Sequence, residues 1–301
     1  MFNYNIKQKS YKIGNYVIGG DPREAPTAVI GTIFYLRQKN IFNNESKGEI
    51  IKDSAEKLIK DQEELADKTG LVPGLDVILS YEASIEPILD FVIDITDMPI
   101  VLDAPTYGIK IKAIEYVEET GVQERIIYNS ITPESSDEEY ELLVDSKIKN
   151  FVLLGMESKK WTTQARIEVI DSLVEKAKSF DFAEHNFIID TAVLDITSLG
   201  LAMNAMHEVK NKYGFPVGSG AHNAVDTWRN LKPKFGGIKK YASVVASTIT
   251  LGAGADFILY GPLQNANIIY PNIAFIKAAH SQLLFDEGRM APTTHPVFKI
   301  G

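Results

Sequence analysis

Short apolar runs alternate with amphipathic stretches along the whole chain. Eight runs rich in Ile, Val, Leu and Phe are almost continuously apolar, which is typical of strands buried on both faces of a parallel sheet. Several of the intervening stretches carry apolar residues on one side at helical spacing and therefore predict helices. The predicted strands cover residues 28–34, 71–79, 100–102, 126–128, 151–154, 187–189, 215–218 and 257–260, and the predicted helices 54–68, 109–119, 163–179 and 199–212.

Eight strand–helix units in a chain of this length predict a TIM (β/α)8 barrel, an α/β fold. A doubly wound sheet is the alternative, because periodicity alone does not distinguish an open sheet from a closed one. Residues 1–22 include a short N-terminal β-hairpin with its turn at Gly14-Asn15, which we expect to cover the bottom of the barrel. No linker divides residues 1–301, so a single domain is expected. Proline and glycine interrupt a helical pattern at 232–240 and predict a loop there.

Composition and charge exclude several classes of function. The chain has 301 residues, with 31 Lys and Arg against 40 Asp and Glu, a net charge of -9. A nucleic-acid groove needs a basic surface, so this balance argues against nucleic acid as a partner. The absence of cysteine excludes disulfides, thiolate zinc sites, iron–sulfur clusters and cysteine nucleophiles. No stretch approaches 18 apolar residues and the N-terminus lacks a signal-like apolar run, so we expect a cytoplasmic protein without membrane insertion.

Polar residues recur where the predicted strands end, and in a barrel those ends form the catalytic mouth. Asp103 lies 27 residues after Asp76, and Asn129 lies 26 residues after Asp103, which is one strand–helix unit each. A single Asp at such a position is more often a helix N-cap, and Asp76 is the weakest candidate because residues 77–79 extend its strand. Polar residues that recur at the same level of successive strands nevertheless predict a shared site. The candidates are Asp76, Asp103, Asn129, Asp190, Gly218, Ser219 and Asn223.

Common catalytic motifs are missing from the sequence. It contains no Walker loop, no complete dinucleotide fingerprint, no zinc-protease motif and no hydrolase nucleophile elbow. No lysine ends a predicted strand, and the histidine spacing indicates no protein-bound metal. Gly218 and Gly220 either permit a tight turn or let backbone N–H groups approach a ligand. What remains is a mouth rich in carboxylates and amides, which suits a flat heterocycle with N–H donors beside acceptors, such as a pterin.

Several stretches of the chain resemble the H subunit of tetrahydromethanopterin S-methyltransferase. The likeness covers essentially the whole chain and is most specific in Tyr213-Gly-Phe-Pro-Val-Gly-Ser-Gly-Ala-His-Asn223. It extends to bacterial methylcorrinoid-protein:tetrahydrofolate methyltransferases of the glycine betaine demethylation type and, more distantly, to the pterin-binding barrels of methyltetrahydrofolate:corrinoid methyltransferase and dihydropteroate synthase. The other resembling stretches are residues 18–22, 26–35, 63–70, 128–131, 189–192 and 259–262.

The resemblance implies roles for the candidate residues. Asp103 and Asp190 match the aspartates that anchor the pterin, and Asn129 and Asn223 match the asparagines that hydrogen-bond the ring and stabilise charge at N5. Asn129 and Asn223 are therefore the expected catalytic residues, and the remaining candidates complete the expected pterin-contact set. The lysine and the Arg-x-His motif of dihydropteroate synthase are replaced here, so diphosphate-handling chemistry is not expected.

The resemblance also implies a reaction and partners. We expect methyl transfer between the cobalt of a corrinoid protein and N5 of tetrahydrofolate, with 5-methyltetrahydrofolate as the methylated pterin. The corrinoid (cobalamin) signature Asp-x-His-x-x-Gly is absent, so the corrinoid belongs to a separate protein. Alternatives are a tetrahydromethanopterin-using subunit of a larger complex, a non-catalytic pterin-docking subunit, and a sugar-phosphate enzyme with a phosphate at residues 218–220.

A homodimer with open barrel mouths is expected, because proteins of this type are dimeric. The sequence adds one observation of its own. The helix candidate at 265–286 is apolar around much of its circumference, so it needs a second surface to cover it, either a neighbouring chain or the extended terminus at 292–300.

Overall fold

A computed structural model describes residues 2–38, 40–157, 161–182 and 186–301. The strands in chain order are β1 (Ser10–Ile13), β2 (Tyr16–Gly19), β3 (Ala28–Ile33), β4 (Phe42–Asn44), β5 (Glu49–Ile50), β6 (Val72–Ile78), β7 (Ile100–Asp103), β8 (Ile126–Ile131), β9 (Asn150–Leu154), β10 (Asn186–Asp190), β11 (Val217–Ser219) and β12 (Phe257–Pro262). The helices are α1 (Lys52–Thr69), α2 (Ile85–Ile95), α3 (Tyr107–Thr120), α4 (Asp137–Asp145), α5 (Thr163–Ser179), α6 (Leu199–Lys212), α7 (Asn223–Asp226), α8 (Leu231–Phe235), α9 (Lys239–Ile249), α10 (Ala266–Ser281) and α11 (Val297–Ile300).

Eight parallel strands close into a barrel in the order β10-β11-β12-β3-β6-β7-β8-β9, with β9 paired again to β10. Every predicted apolar run coincides with one of these strands, and the predicted TIM barrel is confirmed. Because each strand has a neighbour on both sides, the doubly wound alternative is wrong. The four predicted helices correspond to α1, α3, α5 and α6.

The N-terminal hairpin closes the bottom of the barrel. Strands β1 and β2 pair antiparallel around Gly14, whose φ of 56° suits the turn. Its N–H donates to the carbonyl of Glu124, just before β8 begins, at 2.9 Å. Ile13 and Ile18 are fully buried against the barrel interior.

Inward-facing residues at the lower end of the barrel strands are apolar and buried together with the two hairpin isoleucines. Residues that alternate with them face outward and pack under the helices, which is why the strands are apolar on both faces. We name the inward set the apolar layer. It consists of Ala28, Ile30, Val72, Val101, Ile127, Val152, Ile188 and Phe257.

The predicted loop at 232–240 is partly wrong. Residues 231–235 form α8 and α9 begins at Lys239, which leaves only 236–238 between the two helices. Pro233 lies in the first turn of α8, where a helix does not need its missing N–H, and Gly236 ends that helix with a φ of 73°. In the described part of the chain no helix has the length and apolarity needed to cross a membrane.

Candidate functional site

The inward-facing residues change from apolar to polar at the carboxyl ends of five strands. Thr32 lies beside Asp76 in the sheet register, and Asp103 lies beside Asn129. Strand alternation turns all of these side chains toward the barrel mouth, because each follows an inward-facing residue by two or four positions. We name this set the polar layer. It consists of Thr32, Asp76, Asp103, Asn129 and Asp190.

Asp76 is the most deeply desolvated carboxyl of the polar layer, with 6% of its surface exposed. Its Oδ2 accepts a hydrogen bond from Thr32 Oγ1 at 2.8 Å. Its Oδ1 is buried without a partner among the described residues. Burial raises the Asp76 pKa well above its usual range, and the charges of Asp103 and Asp190 add to that effect. This shift favours the neutral acid, which can donate a hydrogen bond to a ligand, more than in an ordinary carboxyl.

Asp190 is also buried but is better stabilised as an anion. Its Oδ1 accepts a hydrogen bond from the backbone N–H of Ala192 at 2.7 Å. Burial raises the pKa of Asp190 to about 6, while that N–H and the Arg166 guanidinium oppose the rise. At neutral pH Asp190 is mostly ionised and can accept ligand N–H groups.

Arg166 of α5 fixes the turn that follows Asp190. Its side chain is buried, and it donates from Nε to the Thr191 carbonyl at 2.8 Å and from Nη2 to the Ala192 carbonyl at 3.1 Å. Ala192 adopts a positive φ of 57°, which an alanine rarely does without support from its surroundings. Arg166 therefore holds the backbone donor of Asp190 in place.

Asp103 and Asn129 form the adjoining part of the polar layer. Burial raises the pKa of Asp103, and the charge of Lys110 and the N–H of Ala104 oppose this. Lys110 of α3 donates from Nζ to the carbonyl of Ser130, the residue after Asn129, at 3.2 Å. Lys110 is half-buried, because its side chain turns toward the end of β8 rather than toward solvent.

Asn223 begins α7 and reaches the mouth from the loop after β11. Its Nδ2 donates to the Val193 carbonyl at 3.1 Å, which fixes the amide beside the end of β10 that carries Asp190. Its own N–H donates to the Gly220 carbonyl at 3.0 Å. Asn223 therefore lies against the segment that follows Asp190, three residues beyond the end of β10.

Gly218 and Ser219 have different positions. Gly218 pairs with Asp190 and faces inward, where a Cβ atom would overlap the carbonyl oxygen of Phe257. Close packing of β11 on β12 therefore requires a glycine there. Ser219 pairs with the outward-facing Ile258, so its buried side chain lies on the opposite side of the sheet from the polar layer. The expected pterin contact of the Ser219 side chain does not fit this placement.

The sequence interpretation missed three residues that shape this site. Thr32 could have been found, because it continues the inward alternation of β3 beyond Ile30. Lys110 and Arg166 belong to helices, and nothing in their local pattern separates them from surface residues. Within the described ranges, His, Asp and Glu form no group of three that could hold a metal ion.

The site combines a largely ionised carboxylate, a second carboxyl whose pKa is raised by burial, and amides around one opening. Acceptors, donors and groups with both functions face the same space, and no cysteine is present. This arrangement can bind and orient a flat polar heterocycle and stabilise charge that changes on it.

Comparisons with known proteins agree with this interpretation of the barrel. Residues 6–288 match the family described as tetrahydromethanopterin S-methyltransferase MtrH subunit. The chain is 34% identical over 312 residues to the H subunit of tetrahydromethanopterin S-methyltransferase from Methanothermobacter marburgensis, covering 100% of both chains. It is 32% identical over 319 residues to the protein of the same name in Methanocaldococcus jannaschii, again covering 100% of both.

Solved structures with the same fold include dihydropteroate synthases. The enzyme of Xanthomonas albilineans in complex with indole-2-carboxylic acid and 6-chloroguanine superposes with a TM-score of 0.64, at 12% identity, over 91% of this chain and 98% of that one. The Yersinia pestis enzyme with a pterine-sulfa conjugate gives 0.61, at 11% identity, over 90% and 100%. At such identities the likeness shows the fold alone.

Proposed function

The chain belongs to the MtrH subunit family of tetrahydromethanopterin S-methyltransferase, and we propose that its barrel mouth binds a reduced pterin for methyl transfer at N5. The single observation that carries the proposal is the polar layer. In it a largely ionised Asp190, an Asp76 whose pKa burial raises and the amide of Asn129 surround one opening. The family itself is one of methyltransferase subunits.

In this proposal the polar layer recognises the pterin by complementary hydrogen bonds. Asp190 accepts bonds from the amino-pyrimidine edge, because Ala192 occupies only its Oδ1. Asp103 and Asn129 address the ring nitrogens and carbonyl, and Asp76 donates to a ring acceptor. Asn223 stabilises the charge that changes at N5 as the methyl group moves. The chain supplies position and polarisation, because N5 and the corrinoid cobalt exchange the methyl group directly.

The pterin is more plausibly tetrahydromethanopterin than the tetrahydrofolate expected from the sequence. The support is that the relatives identical at 32–34% over the full chain carry tetrahydromethanopterin in their names. That expectation for tetrahydrofolate gives way to the alternative of a tetrahydromethanopterin-using subunit of a larger complex. Competition of the two pterins in one calorimetric titration decides between them.

The corrinoid carried by a separate protein is the proposed second reactant. The experiment mixes the purified chain with a free corrinoid and the 5-methyl form of each pterin, and follows corrinoid absorbance. Turnover supports a methyltransferase. Saturable pterin binding without turnover supports the non-catalytic docking subunit, and no binding of either pterin contradicts the proposal.

The phosphate-binding alternative has less support. Gly218 is explained by its contact with Phe257, and the helix that follows the glycine-rich turn has only four residues. Such a short helix offers little of the dipole that a phosphate site at a helix N-terminus uses.

The proposed homodimer needs a different surface from the one first expected. On α10, Ile269 and Ile273 are buried within the chain itself, and Phe275 is the prominent exposed residue. Helix α9 instead exposes Tyr241 and Val245 by 75% and 62%. They stand one turn apart, beside an apolar groove of about 340 Å³.

We propose that two copies pair through this face of α9, since a second copy can cover the two exposed side chains and the groove beside them at once. Light scattering should give twice 33.4 kDa. The same measurement on Val245→Glu should give one chain mass, and Glu168→Gln on the outer side of α5 serves as a control. A single chain mass for the unmodified protein contradicts pairing.

A further inference from the structure

We infer that Lys110 is a positioning residue of the pterin site: its ammonium group holds the strand end that carries Asn129 and makes Asp103, rather than Asp76, the charged member of that carboxyl pair. The inference rests on the proposed function and adds which carboxyl of the site carries the negative charge. It gives a role in the site to a lysine that lies on a helix rather than at the end of a strand.

The ammonium group of Lys110 contacts the residue before Asn129 and the residue after it. Lys110 Nζ donates to the carbonyl of Ser130 at 3.2 Å and lies 5.0 Å from the centre of the Tyr128 ring. Tyr128, Asn129 and Ser130 are consecutive residues of β8. One helical side chain therefore contacts both sequence neighbours of a polar-layer residue, which restrains the strand end from outside the barrel.

The charge of Lys110 has no close partner of its own. Among the described residues it makes no ion pair within 4.0 Å, and two acids share its field, Asp103 on β7 and Glu139 on α4. Glu139 is buried and accepts a hydrogen bond from the Tyr128 hydroxyl. Burial lowers the pKa of Lys110, and those two acids oppose that fall. Among the described residues, Tyr107 at the start of α3 also acts on Tyr128, and Glu138 of α4 acts on Tyr107.

The two neighbouring carboxyls differ in their access to a cation. The charges of Asp103 and Asp190 act on Asp76, and among the described residues no cation opposes its raised pKa; only the hydrogen bond from Thr32 does. Asp103 faces the field of Lys110 and the N–H of Ala104. Lys110 contacts the residue after Asn129, and Asn129 lies beside Asp103 in the sheet register, so the cation is nearer to Asp103 along the mouth. Two close carboxyls do not both ionise easily, so we infer that the one near the cation takes the charge and the other keeps the proton. Asp103 then accepts a ligand N–H while Asp76 donates.

Three substitutions separate charge from hydrogen bonding. Lys110→Met removes both, Lys110→Gln keeps a donor for the Ser130 carbonyl, and Lys110→Arg keeps the charge. Lys112→Met, on the same helix, is the control, because Lys112 is exposed and pairs with Glu115 at 2.9 Å. The measurements are calorimetric pterin affinity between about pH 5.5 and 8.5, and infrared titration of the protonated carboxyl band in the free protein.

Removing the charge should lower pterin affinity about tenfold at pH 7 in both Lys110→Met and Lys110→Gln, and should move a carboxyl titration to higher pH. Lys110→Arg and Lys112→Met should stay within about threefold of the unmodified protein. A Lys110→Gln protein with unmodified affinity and carboxyl titration overturns the inference. If the unmodified protein binds no pterin, the proposed function fails, and the infrared titration still decides the role of Lys110.

Discussion

The two inward-facing layers of the barrel are neighbours along the strands and opposite in chemistry. On four strands a step of two residues leads from a buried aliphatic side chain to a polar one. These pairs are Ile30 and Thr32, Val101 and Asp103, Ile127 and Asn129, and Ile188 and Asp190. The apolar layer removes its side chains from water, and each of its Val, Ile and Phe side chains contributes about 1.5–3 kcal/mol to folding.

The polar layer does the reverse, because it holds carboxyls where burial raises their pKa and leaves Asp76 Oδ1 without a partner among the described residues. Unsatisfied groups of this kind lower stability and become useful only when a ligand satisfies them. The comparison teaches that the lower layer provides the stability that the upper layer gives up for binding.

The largest effect is expected when the chemistry of the upper layer is placed in the lower one. Val101→Asp buries a carboxylate among aliphatic side chains and should destabilise the fold by at least about 4 kcal/mol, enough to leave much of the protein unfolded. Urea unfolding measures this, with Val101→Ala, at about 2 kcal/mol, as the control for lost volume. A Val101→Asp protein as stable as Val101→Ala would contradict the distinction between the layers.

The pH dependence of the polar layer comes next in size. Asp190 has its pKa raised from 3.8 to about 6 in the folded chain, so the folded state binds this proton more tightly than the unfolded state does. Its contribution to stability is complete below about pH 3.8 and is lost as the pH rises through about 6, a change of roughly 3 kcal/mol. Pterin affinity should move in the opposite direction, since the ionised form accepts the ligand.

Unfolding curves at pH 4.5, 6 and 7.5 test whether stability falls as the pH rises, and calorimetry at the same pH values tests whether pterin affinity rises. Asp190→Asn is the matched control and should remove this part of the stability change. Affinity that falls as the pH rises through 6 would exclude Asp190 as the anionic anchor.

A third pair of variants separates binding from stability. Asp190→Ala should weaken pterin binding by about 2 kcal/mol, roughly thirtyfold, while stability stays equal or rises because a buried carboxyl is gone. Ile188→Val, two residues earlier on the same strand, should cost about 1 kcal/mol of stability and leave affinity unchanged. If Asp190→Ala lost stability but kept its affinity, or Ile188→Val lost affinity but kept its stability, the two layers would not have the separate roles in binding and stability described above.

The smallest effect is expected on the outer face of β11. Ser219 has a buried hydroxyl without a hydrogen-bond partner in the described structure and lies away from the polar layer. Ser219→Ala should therefore change pterin affinity less than about twofold and stability by less than about 1 kcal/mol. A larger loss of affinity would restore Ser219 to the set of pterin contacts.

The sequence predicted the barrel well because buried parallel strands are apolar on both faces and need no knowledge of distant contacts. Asp103, Asn129 and Asp190 were predictable for the same reason, since each follows such a run directly. Lys110 was not, because its task depends on which strand the helix covers. The outward direction of the Ser219 side chain could not be predicted, because the start of β11 at Val217 fixes which residues face inward and the apolar run at 215–218 does not reveal that start.

The hairpin has a kinetic consequence. Because Ile13 and Ile18 fill the lower end, the described chain offers a pterin one route to the polar layer, through the mouth. A corrinoid protein that covers the mouth would block that same route. The reactants should therefore bind in a compulsory order, with the pterin first to enter and last to leave. Product-inhibition patterns would then be competitive between the two pterin forms and non-competitive between pterin and corrinoid protein.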